Sequence, residues 1–292
     1  MRAILQNMTT ITQSPPSIGR QMLNKVPEVT LYFWIIKILC TTVGETAADW
    51  LNVKLGDSLT KTSYVVGSFL IVALAVQFAL KRYVPFVYWL SVVLISVVGT
   101  LITDNLVTNF GVTLPTTTII FAVALALVFA AWFWSERTLS IHSIVTVKRE
   151  AFYWLAVLFT FALGTAAGDL TAERFAIGYW KSAVLFGVII AVVTFAHYRF
   201  KLNAILAFWI AYILTRPLGA SIGDYMAQAK VAAADVPANA VGLGLGTTVT
   251  SVIFLVTILA LVIYLTATRR DATENVVGDH ALAGLRPAPS ED

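Results

Sequence analysis

The stretch Trp34-Ile-Ile-Lys-Ile-Leu-Cys-Thr-Thr-Val-Gly44-Glu-Thr-Ala-Ala-Asp49 decides how the chain is read. A tryptophan is followed ten residues later by a glycine, and five residues after that by an aspartate. The same register recurs as Trp89, Gly99 and Asp104, as Trp154, Gly164 and Asp169, and as Trp209, Gly219 and Asp224. An aromatic residue precedes each tryptophan: Phe33, Tyr88, Tyr153 and Phe208. With 8 tryptophans in 292 residues, four such registers are not an accident. The chain is one motif used four times.

Working outward, each copy contains two apolar runs of about 20 residues, the length that crosses a bilayer. They fall near 29–49, 62–80, 84–106, 116–134, 151–172, 182–198, 203–226 and 246–267. Hydrophobic residues make up 58% of the chain and charged ones 12%, against about 25% charged in soluble domains. Mean hydropathy is +0.81. Lipid must be the solvent for most of this surface. That excludes a soluble enzyme, a nucleic-acid reader and a disulfide-stapled secreted domain. Cys40, the single cysteine, lies in an apolar run and pairs with nothing internal. Runs such as Ile119 to Trp134 do not alternate, which argues against a β-barrel.

The expected fold is therefore all-α, with eight transmembrane helices in four parallel two-helix repeats, or two four-helix halves. The membrane domain is placed at 24–268, with repeats at about 24–81, 82–137, 149–200 and 201–268. A polar linker, Glu136 to Glu150, separates the halves. Residues 1–23 and 269–292 read as disordered tails. Thirteen of the 20 lysines and arginines fall at one end of the spans, among them Arg82, Arg149 and Arg199. Lys54, Lys61, Arg174, Lys181 and Lys230 fall at the other. The positive-inside rule then puts both termini in the cytoplasm, so the net charge of +4 reports topology.

Each repeat has an even number of spans, so all copies enter the membrane with the same polarity and equivalent residues lie at equal depth. Asp49, Asp104, Asp169 and Asp224 are thus expected at one level around one axis. Ionisable groups in spans are costly and usually face a bundle interior or a cavity. Carboxylates brought together repel unless protons or a cation relieve them. One helical turn earlier, on the same face, stand Glu45, Thr100 and Thr165, with Ala220 in the fourth copy. Oxygen donors of this kind suit a hard divalent cation. The alternative is structural: the helix breaks at the glycine and the aspartate caps a following helix. Lys37 and Arg216 are the basic residues inside the spans, and they serve as charge partners, as exclusion charges, or simply snorkel. Arg216-Pro217 adds a kink. The tryptophans are expected as interface anchors.

An enzymatic reading finds little. His142, His197 and His280 are scattered, no cofactor is implied, and Ala166 and Ser221 replace the first glycine of the Gly-x-Gly-Asp pattern of intramembrane aspartyl proteases. The stretch from Lys25 to Asp49 resembles the opening of a family of bacterial polytopic proteins described as uncharacterised and membrane-anchored. That resemblance implies a bacterial cytoplasmic membrane. The repeated acids are loosely similar to the Glu-x-Gly-Asp-Lys-Thr/Ser motifs of manganese and calcium exchangers, but Trp50, Asn105, Leu170 and Tyr225 stand where those have lysine. The expected function is transport of a divalent cation such as Mn²⁺; the alternatives are proton-coupled transport of a small organic solute, or a non-transporting scaffold or sensor.

Overall fold

The computed structural model describes residues 24–230 and 241–271. The tails expected at 1–23 and 269–292 lie outside the described residues, apart from 269–271. Among the described residues, eight helices are long and apolar enough to cross a membrane: α1 Leu31–Lys54, α2 Leu59–Ala79, α3 Pro85–Asp104, α4 Leu114–Glu136, α5 Val147–Asp169, α6 Tyr179–Phe200, α7 Ala204–Ala227 and α8 Gly246–Thr268. The described residues contain no strand. This is a polytopic helical membrane protein with internal repeats.

Local chemistry sets the ends. Thr30, Ser58, Thr146 and Asn203 cap α1, α2, α5 and α7 by accepting from backbone N–H groups of the first turn. Pro85 opens α3, where its missing N–H costs nothing. The basic residues Arg137, Lys201 and Arg269 take the left-handed conformation that closes α4, α6 and α8.

The odd helices form the core. In their most apolar windows 50–67% of residues are buried, against 11–28% for the even helices. α1 packs on α3, α3 on α5, α5 on α7, and α7 back on α1, closing a ring. The aromatic N-terminal ends of all four meet at one end of this ring, so the four run parallel. The even helices lie outside, but not against their own repeat partners. α2 packs on α3, α4 on α5, α6 on α7, and α8 closes on α1, while α1 and α2 touch little. Each repeat is an interlocking unit, and no packed hairpin forms within a copy.

The motif glycines are the points of closest approach. A Cβ on Gly44 would lie 1.8 Å from Ser96 Oγ, and one on Gly99 2.7 Å from Phe161 Cβ. One on Gly164 would lie 2.3 Å from Arg216 Cγ, and one on Gly219 1.8 Å from Thr41 Oγ1. Ser96, Phe161, Arg216 and Thr41 each stand eight residues before an aspartate. Every glycine therefore receives the same position of the next copy, and the fourth receives that of the first.

Candidate functional site

Stacked along the ring axis at four-residue steps, the repeat positions form layers. Nearest the basic end is an aromatic layer. Trp89, Trp154 and Trp209 are buried and Trp34 is half-buried. The buried three do not face lipid as interface anchors would: Phe33 packs on Trp89 and Phe208, Tyr88 on Trp154, and Tyr153 on Trp209. The Tyr88 and Tyr153 hydroxyls meet at 2.5 Å. Large rings fill the centre that four parallel helices leave open.

Next come Lys37 and Tyr212. Lys37 is fully buried, so it does not snorkel. Its ammonium donates to Thr215 Oγ1 at 3.4 Å and lies 4.2 Å from the ring centroids of both Phe161 and Tyr212. Its described contacts include no carboxylate. One turn on, Arg216 is also fully buried. Its Nη1 donates to Thr41 O at 3.2 Å, and its Nη2 faces Glu45 Oε2 at 2.8 Å, Thr165 Oγ1 at 2.7 Å and Thr100 Oγ1. Glu45, Thr100 and Thr165 are the residues one turn before the aspartates of the first three copies. In the fourth, Ala220 leaves that level clear of a side-chain oxygen.

Beyond this floor, Asp49, Asp104, Asp169 and Asp224 all line one cavity of about 270 Å³, together with Glu45. Carboxylate oxygens of Glu45, Asp169 and Asp224 lie within 4.8 Å of one another. Asp224 is buried and the other three aspartates are half-buried, and the cavity is also lined by Glu173, which is exposed. Tyr179 donates to Glu173 Oε1 at 3.1 Å.

The helices do not break at the motif glycines. Asp104 and Asp169 have right-handed helical dihedrals and make no capping hydrogen bond; they stand where α3 and α5 pass into the π-helical turns Asn105–Asn109 and Leu170–Arg174. The capping alternative fails because each glycine makes room for a neighbouring helix and ends nothing. Helix α7 likewise continues through Pro217.

Three lining residues, Thr108, Glu173 and Gln228, escape a reading that looks only upstream of each aspartate. All three stand four residues after one, and the same-face rule that finds Glu45 would find them.

The family described as a repeat of unknown function, DUF347, matches at residues 32–83, 87–138, 152–203 and 207–271. The chain belongs to the DUF347 family. Every DUF347 match begins two residues before a ring tryptophan, so the family repeat and the Trp–Gly–Asp register coincide copy by copy. No curated protein and no solved structure matches the chain.

Proposed function

We propose that this DUF347 protein is a transporter, not an enzyme, and that its cargo is a divalent cation such as Mn²⁺. The observation that carries the reading is the shared cavity: four repeat-related aspartates, Glu45 and Glu173 converge inside a membrane bundle. A hard cation held at about 2.3–2.6 Å from each oxygen spans carboxylate oxygens up to about 5 Å apart. The Glu45, Asp169 and Asp224 set, within 4.8 Å, fits one such ion. Carboxylates at this density attract cations from water at the mouth and lose mutual repulsion when one binds. Arg216 offsets the charge of Glu45 at the floor, so the aspartates supply the net negative charge that meets the cargo.

The positive-inside rule sets the orientation in this reading: the aromatic end and both termini face the cytoplasm, and the acidic cavity faces outward across a bacterial inner membrane. The full chain in proteoliposomes, loaded with a metal-sensitive dye, should pass Mn²⁺ or a similar divalent ion. Asp169→Asn and Asp224→Asn should each reduce uptake at least about tenfold, as expected when a charged ligand of a buried site is lost. Uptake unchanged by both variants would sink the aspartate site. No flux of any metal would leave the scaffold reading.

A second reading, proton-coupled carriage of a small organic solute, has one observation in its favour. A larger cavity of about 600 Å³ lies toward the basic end, lined by apolar residues such as Trp34, Ile38 and Phe208. Such walls suit a carbon skeleton better than a hydrated ion. Counterflow with small amines tests it.

A further inference from the structure

The surroundings of Arg216 do not match a guanidinium well. Nη2 carries two hydrogens but has three oxygens within reach, on Glu45, Thr100 and Thr165. Nε, buried beside it, has no hydrogen-bond partner. The donors are oversubscribed at one atom and idle at another. Oxygens that converge on a point, without regard to where hydrogens lie, are the arrangement a spherical ion requires. The Thr165 hydroxyl donates its own proton backward along its helix to Phe161 O at 3.1 Å, and the Thr100 hydroxyl has Ser96 O at 3.3 Å and Glu45 Oε2 at 3.5 Å as acceptors. The lone pairs of both hydroxyls are left for the centre. Thr41 O approaches the same guanidinium at 3.2 Å. The four oxygens come from three of the four ring helices, and the fourth helix supplies the cation itself.

Charge selects the kind of ion. Among these four donors the one carboxylate is Glu45, so a single positive charge leaves the layer neutral, whereas a divalent ion would leave an uncompensated charge inside the membrane. We propose that Thr41 O, Glu45, Thr100 and Thr165 constitute an inner site for a monovalent cation, and that the Arg216 guanidinium fills it as a tethered ion. The position explains what the tether does. Glu45 lines the acidic cavity on one side, while Thr215, the residue next to Arg216, lines the larger cavity on the other. Arg216 lies directly behind Glu45, so a free cation passing below Glu45 must displace the guanidinium. This deepens the transport reading by assigning the barrier, but the site itself does not depend on what the aspartates carry.

The test uses the full chain purified in detergent, with thermal unfolding followed at constant ionic strength in N-methylglucamine chloride. Na⁺, K⁺ or guanidinium then replaces part of that cation. Arg216→Ala vacates the site, and at least one of the three should raise its midpoint saturably, by about 3–6 °C at a tenfold excess over the dissociation constant. Arg216→Met refills the volume without charge and should show no such rise, and neither should the wild type. Adding Thr165→Val to Arg216→Ala should remove the gain. If Arg216→Ala folds only when extracted in one of the cations, that rescue supports the site. Absence of any cation-dependent gain over Arg216→Met, in yield or in midpoint, overturns it. Divalent binding by the wild type is a separate measurement, so this inference and the aspartate site can fail independently.

Discussion

At the scale of single residues, the glycines and the residues they admit hold the ring together. Without a hydrophobic drive between helices in lipid, close packing at small residues does this work. Gly99 is tightly constrained, because a Cβ there would meet Phe161 Cβ at 2.7 Å and the Ala162 backbone nitrogen at 3.1 Å, and the backbone cannot swing aside as a side-chain tip can. Gly67 on α2 has nothing within 4 Å. Gly99→Ala should therefore cost about 1–3 kcal/mol of stability through overpacking, whereas Gly67→Ala should be neutral or mildly stabilising through helix propensity. Unfolding of both variants in mixed micelles under titrated SDS reads the difference, and equal stabilities would contradict the ring. This is also where the sequence is most legible. Gly99 announces itself by register alone, since four glycines in one position need a shared reason. Its purpose is less legible. A glycine that admits the next helix and a glycine that ends its own helix look alike until the neighbour is seen, so the sequence leaves capping by the motif aspartates open, while Asp104 and Asp169 make no capping bond.

At the scale of elements, the odd helices could be told from sequence and the even ones only located. Glu45, Thr100 and Thr165 mark a polar face on α1, α3 and α5, and a polar face inside a bilayer must turn inward. Helices α2, α4 and α8 carry no comparable stripe, so nothing in their residues says that each packs on the next repeat and not on its own. The segments around the central linker are different again, and break the four-fold pattern. Lys25, ahead of α1, forms an ion pair with Glu150 in the first turn of α5 at 2.6 Å and donates to Phe78 O at 3.0 Å. Gln77 of α2 donates to the other Glu150 oxygen at 3.1 Å. Glu150 is 1% exposed and Lys25 11%. Three separate elements are clasped through one carboxylate, which also sits favourably at a helix N-terminus. Glu150→Gln should strand the lysine and cost about 3–5 kcal/mol, while Lys25→Met with Glu150→Leu should recover most of it. Thermal midpoints of the single and double variants decide this, and a double variant no better than the single would refute the clasp.

At the scale of the whole molecule, four-fold repetition and its breaking have different consequences. Repetition puts four aspartates on one axis at one level, so the sequence predicts a common cavity before any distance is known. Breaking adds single acids, Glu45 and Glu173, to the lining of that cavity and sets one Arg216 against Glu45. All of this depends on the ring being closed, because an open row of repeats would leave the partner faces of α1 and α8 bare to lipid and would scatter the acids. The closure has one contact that can be trapped. Thr46 on α1 and Ser251 on α8, both buried, have their hydroxyl oxygens 2.8 Å apart. Thr46→Cys with Ser251→Cys, in a chain whose buried Cys40 is replaced by alanine, should form a disulfide under mild oxidation, since side-chain atoms that close are within the reach of an S–S bond of about 2.05 Å. With a protease site placed in the linker at 138–146, cleavage separates the halves covalently except through that bond. A closed ring predicts that the two halves run together without reductant and apart with it. An open row predicts instead free halves, and exchange of α8 between two chains predicts a disulfide-linked product of doubled mass when the linker is left uncleaved.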